Sequence, residues 1–182
     1  MINNEAGSRE QGFQFQKEAI DSFLQGYLDL KNQAEINEIK ILQISSLRGE
    51  FQEQIKFLAD ESLQDVMIVV VPDELWIKGI QPSESIAERN LILFKESYFD
   101  GLDSLAWLIH ELGHVQSFRQ LKHEGYKKVI RSNYPDNEVE RRAFSQQFGY
   151  LRKKGLSEEE ILSYLSREYN EQELKFLKSL IK

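Results

Sequence analysis

His110-Glu111-Leu112-Gly113-His114 is the stretch of this sequence best equipped to do chemistry. On an α-helix, four residues at about 100° each return almost to the starting face. His110 and His114 would therefore aim both imidazoles at one point, which is what two neutral imidazole nitrogens need to hold a single zinc ion. Glu111 stands about 100° round the helix from His110, where it can reach a water on such an ion without entering the coordination sphere. That place suits a general base, which takes a proton from the water and later hands it to a leaving group. Three specified residues in five also recur by chance, so the surroundings decide. Leu105-Ala106-Trp107-Leu108-Ile109 runs directly into the motif and makes the helix apolar all round, as a buried helix is. Two histidines and a glutamate buried there without partners would cost about 1–3 kcal/mol for each unsatisfied group.

A catalytic zinc ion takes three protein ligands and keeps one position open. The chain has no cysteine, so the third ligand must be His, Asp or Glu. The candidates are His123, Glu138 and Glu140. A contiguous three-histidine site would want a glycine where Ser117 stands and a histidine where Gln120 stands, so His123 reads as a loop or surface residue, with substrate contact as its functional alternative. Glu138 and Glu140 are about 200° apart on a predicted helix, so only one can face the metal. Glu140 shares its stripe with Ala143, Phe144, Gln147 and Leu151, whereas Glu138 shares its own with Arg141, Arg142, Ser145 and Gly149. Glu140 is thus the inward carboxylate, and Ala143 is small enough to let two helices close. Glu138 is expected to be solvated near the helix N-terminus, where the helix dipole favours it.

Several elements must position these groups. Apolar periodicity predicts a leading amphipathic helix over Phe13 to Leu30, a strand over Ile39 to Ile44, and a helix over Leu47 to Leu63. Val66 to Val71 and Asn90 to Phe94 are apolar runs rich in β-branched or aromatic residues and read as strands, with Gly79 to Ser85 as the turn region between them. Asp100 or Asp103 can cap the helix that carries the motif. A loop holding His123, Gly125 and Tyr134 follows, then a helix from about Asn137 to about Gly155, and further helix over Leu156 to Lys182. The fold class expected is α+β: a small mixed or antiparallel sheet packed on a buried active-site helix, with a mainly helical C-terminal half.

Composition bounds the rest. The 182 residues suit one compact domain, residues 1–182, with 1–10 expected to fray and 156–182 adding helices that could cover the cleft, dock a partner or, as expected first, complete the core. The net charge of -7 opposes nonspecific binding to nucleic acid or anionic membranes. Met1 to Gln16 is polar and unlike a secretory signal, and no apolar run approaches the length of a membrane span. The expected compartment is the cytoplasm.

His110-Glu111-Leu112-Gly113-His114 followed by Asn137-Glu138-Val139-Glu140-Arg141-Arg142-Ala143-Phe144 resembles the zincin metallopeptidases, specifically the gluzincin branch, whose third ligand is a Glu in an E-x-x-A context. Tyr134 to Glu140 is also similar to the segment before that ligand in lethal-factor-type toxin proteases and small ImmA/IrrE-like peptidases. The resemblance covers roughly residues 39–151. It implies a zincin-like fold holding one catalytic zinc, which hydrolyses a peptide or protein substrate, more as an endopeptidase than an exopeptidase. It further implies a mixed sheet whose edge strand, Asn90 to Phe94, pairs with the substrate backbone. Tyr134 falls where those peptidases can carry a tyrosine that hydrogen-bonds the tetrahedral intermediate. One departure stands out. Many gluzincins have Asp, Asn or Glu four residues after the third ligand to support a metal-bound histidine, and this chain has Phe144. A backbone carbonyl or another carboxylate such as Asp136 would then have to orient the imidazole. Peptide deformylase, another HExxH enzyme, uses a cysteine ligand and is excluded. The competing class is a zincin-like module that senses or binds a partner without catalysis. A free base beside an open position, as Glu111 would be, has no use in a purely structural site.

Overall fold

The computed structural model describes residues 40–44, 61–76, 82–99, 102–130 and 132–181. The expected helix over Phe13 to Leu30 lies outside them, as does most of the one over Leu47 to Leu63, of which only a 3-10 turn at Glu61–Asp65 is described. The fold is α+β with a four-stranded mixed sheet.

The strands are β1 (Lys40–Gln43), β2 (Met67–Val71), β3 (Ser83–Ile86) and β4 (Leu91–Lys95), ordered β1-β2-β4-β3. β2 and β4 run parallel, while β1 and β3 flank them antiparallel. Their side chains alternate between two buried faces. Ile68, Val70, Ile92 and Phe94 join the main core, and Val69, Val71, Leu91 and Leu93 pack on the other side with Trp76 and Ile86. Burial on both faces explains why β2 and β4 read as unbroken apolar runs.

Two expectations are corrected here. Asn90 to Phe94 corresponds to β4, which is an inner strand, and among the described residues the outer strand on that side is β3. β3 in turn occupies part of the predicted turn region. Ser-Glu-Ser-Ile carries no apolar alternation, and this segment is extended because its backbone completes the ladder with β4, Ser83 facing Phe94 and Ile86 facing Leu91.

After a one-turn α1 (Glu96–Phe99), α2 (Leu102–Ile130) runs beneath the sheet. Every residue from Ser104 to Ser117 is buried, in line with the apolar run before the motif. Asp103 lies inside the first turn of α2 and so is not its cap, and Asp100 lies outside the described residues. The helix is broken at Lys122, whose φ of 57° and ψ of 170° are not helical. His123 and Gly125 therefore sit on a second helical segment rather than in a loop.

α3 (Glu138–Lys153) starts where Asn137 accepts a hydrogen bond from the Glu140 amide at 2.9 Å, the N-cap role this residue type favours. Gly155, at φ 90°, turns the chain out of it. α4 (Glu158–Leu165) opens with a Ser157/Glu160 capping box, and α5 (Glu171–Ile181) follows. Ile161, Leu165, Tyr169, Leu177 and Ile181 belong to the same core as the sheet, and Tyr169 stacks on Trp107 at 6.0 Å. Residues 156–181 thus complete the core, as expected. No helix among the described residues is long and apolar enough to cross a membrane.

The contact between α2 and α3 positions the site. A Cβ added at Gly113 would lie 3.0 Å from the Ala143 Cα and 2.5 Å from Gln146 Oε1. The glutamine can swing away, but the Ala143 backbone can yield only if the helices part. Gly113→Ala is therefore expected to destabilise the protein by about 1–3 kcal/mol in denaturant unfolding, as overpacking does. Gly125→Ala is the control. Its added methyl meets only Leu121 at 3.4 Å, so a small gain from the better helix former is expected. Equal effects at the two positions would refute the close-approach argument.

Candidate metal centre

His110 and His114 sit one turn apart on the buried part of α2, 5% and 6% exposed, and their Nε2 atoms are 3.1 Å apart. Glu140, in the first turn of α3 and 5% exposed, brings Oε2 to 3.7 Å from His110 Nε2 and 3.6 Å from His114 Nε2. A tetrahedral ion with bonds of about 2.0–2.1 Å holds its donors roughly 3.3–3.4 Å apart. The three atoms therefore lie close enough to bind one metal ion, and they form the one such group among the described residues. The sequence stripe had singled out these three side chains. Glu138 is exposed, as the same stripe implied.

Without a cation, a proton sits in this cluster. Burial and then the neighbouring His114 push His110 down to about 3. Burial alone would lower His114 too, but the Glu140 carboxylate, with Glu111 and Glu84 behind it, outweighs that and raises it to about 9. Burial opposes ionisation of Glu140, yet the histidines, His114 foremost, hold its pKa below the usual value. At neutral pH the pair of imidazoles thus shares one proton, facing one carboxylate. A cation entering the cluster must displace that proton.

Glu111 turns from the ligand cluster toward β3. Ser83 Oγ, 1% exposed, donates to Glu111 Oε1 at 2.8 Å, and Ser85 lies near enough to help stabilise the carboxylate's charge. Burial raises the Glu111 pKa, and His114 and the two serines oppose that rise without cancelling it. Glu84, between the serines, is pushed up to about 8 by burial and by the Glu111 charge. No protein-family model, curated protein or solved structure matches this chain.

The remaining candidates divide. His123 is remote from the metal cluster: its ring bonds Glu88 at 3.2 Å and Glu124 at 3.1 Å. Asp136 pairs with Arg141 on the surface, so it is not the support for an imidazole. Tyr134 is 44% exposed, on the turn just before α3. Loss of solvation around its hydroxyl, and then the negative charges of Glu140, Glu173, Glu84 and Glu111, raise its pKa and keep it a proton donor near the site.

Sequence reasoning missed Ser83, Ser85, Glu84 and Tyr126. The serines and Glu84 lie in what read as a turn, and nothing in their pattern marks them. Tyr126 is separated from His114 by twelve residues, which on a straight helix is about 18 Å along the axis. The break at Lys122 folds the second segment back, and Tyr126 Oη comes to 3.3 Å from His114 Nδ1.

Proposed function

We propose that this chain is a zinc-dependent metallopeptidase of the gluzincin kind that cleaves within peptide or protein chains. The observation that carries the reading is the convergence of His110 Nε2, His114 Nε2 and Glu140 Oε2, with the Glu111 carboxylate held beside them by Ser83. Two imidazoles and one carboxylate form the donor set of zinc hydrolases that keep an open position. Zinc held there supplies a Lewis acid that polarises a carbonyl and acidifies a water.

The chain's own groups do the rest. Ser83 holds Oε1 of Glu111, leaving the other oxygen to accept a proton and return it to the departing amine. The raised pKa of Glu111 suits a group that must both take and give. Tyr134, at the mouth, is the donor for the developing oxyanion. β3 ends the sheet directly above Glu111, so an extended substrate adds to this strand rather than to β4.

The test is a calorimetric titration of the metal-free full chain with zinc, followed by a peptide-cleavage assay. About one zinc should bind per chain. Near pH 7 binding should release about one proton, because His114 is protonated below about 9 while His110 is not. Affinity should therefore rise with pH up to about 9. The loaded protein should cleave members of a fluorogenic peptide library, chelator should stop this, and added zinc should restore it. A chain that takes up no zinc sinks the metal reading. Zinc uptake without cleavage of any peptide or protein favours the non-catalytic zincin-like module.

A further inference from the structure

With both Nε2 atoms turned to the cluster, the two Nδ1 atoms point away from it. His114 Nδ1 faces Tyr126 Oη at 3.3 Å. His110 Nδ1 is buried without a hydrogen bond. Gln147, on the α3 stripe that carries Glu140, is 0% exposed, and both its amide atoms also lack partners. The amide neighbours the His110 ring without making a hydrogen bond. Three such unpaired buried polar atoms are the uncommon case in a folded core. The place one turn before Gln147 is filled by Phe144, whose ring sits edge-on to His110 at 4.5 Å and walls off that side.

We infer that Gln147 and Tyr126 are the positioning residues of the metal centre, each presenting an oxygen to the Nδ1–H of one histidine so that both Nε2 atoms stay unprotonated toward the ion. This rests on the metal-centre reading. A histidine bound through Nε2 carries its proton on Nδ1 and needs an acceptor there, which fixes both tautomer and ring plane. For His114, the Tyr126 hydroxyl oxygen stands at 3.3 Å from Nδ1, placed to be that acceptor. For His110, a small rotation of the Gln147 side chain brings Oε1 onto Nδ1–H and satisfies two of the orphaned atoms together. The chain thus places its acceptor seven residues after Glu140 instead of four, on the same helix face.

The experiment uses zinc-loaded full chain labelled with 15N-histidine. Long-range 1H–15N spectra should show His110 and His114 both protonated on Nδ1, with protons that exchange slowly with solvent. Gln147→Met and Tyr126→Phe should each lower zinc affinity by about 10- to 100-fold in chelator competition, and each should speed exchange at its own histidine only. Gln147→Glu, which keeps an oxygen acceptor, should retain the affinity. Zinc on Nδ1 of either histidine in the wild type overturns the inference even if a variant fails to fold. So does wild-type affinity with unchanged exchange in Gln147→Met or Tyr126→Phe. Wild type that binds no zinc overturns the metal reading itself, whereas wild type that binds zinc beside indifferent variants overturns only the positioning roles.

Discussion

Glu111→Gln should abolish peptide hydrolysis while leaving the fold and the zinc content unchanged. The substituted side chain has nearly the same size and keeps an oxygen that can accept the 2.8 Å bond from Ser83. It loses only the oxygen that takes up a proton. General-base catalysis contributes about 10²- to 10⁴-fold, so kcat should fall by at least that range. Zinc should remain because Glu111 is not among the converging donors, which come from His110, His114 and Glu140. Stability should change little, since a neutral amide replaces a carboxylate whose charge burial already penalises. Three measurements on the two proteins settle the matter: kcat on a cleavable peptide, metal by elemental analysis, and the thermal midpoint. A variant with wild-type kcat would remove Glu111 from the chemistry. A variant that lost zinc together with activity would show that Glu111 acts on the ion directly.

Glu140→Gln and Glu138→Ala should separate by orders of magnitude in zinc affinity, although the two residues are neighbours on one helical turn. Glu140 is 5% exposed and faces both imidazoles, whereas Glu138 is exposed. Losing the anionic donor should cost more than the roughly 10- to 100-fold that follows loss of a group supporting a metal-bound histidine. The metal-free fold should survive Glu140→Gln. The Glu140 carboxylate is the leading influence that raises His114, so in its absence burial favours the neutral imidazole more strongly and less charge stays buried. Glu138→Ala should change zinc affinity hardly at all, and its effect on stability should be about 0.3–1 kcal/mol through the helix dipole. Chelator competition on both variants, beside the wild type, reads the ranking. Equal losses, or the reverse order, would mean that the face of α3 turned to the metal has been misassigned.

The parts of this protein that rest on local periodicity were legible in the amino-acid order. The apolar run before His110 announced a buried helix, the four-residue step put both histidines on one side of it, and the Glu140–Leu151 stripe set which carboxylate of α3 turns inward. These follow from the 3.6-residue period, which needs no knowledge of distant neighbours. Ala143 could likewise be read as a place of close helix approach, since only small side chains permit one, while its partner Gly113 came from the structure. Tertiary structure decided the rest. Ser83-Glu84-Ser85-Ile86 becomes an outer strand of the described sheet only because β4 offers a free ladder, and Ser83 finds Glu111 across 28 residues of chain. Tyr126 reaches His114 only because one backbone break at Lys122, at a residue type that does not mark such a place, redirects everything after it. Gln147 was visible as a polar residue on an apolar stripe, but its partner was not, because the match between its amide and the His110 ring depends on where α2 and α3 cross. Spacing along each of two helices marks His110, His114 and Glu140 as candidate donors, while the break in α2 and the crossing of α2 with α3 bring Tyr126 and Gln147 to the histidines.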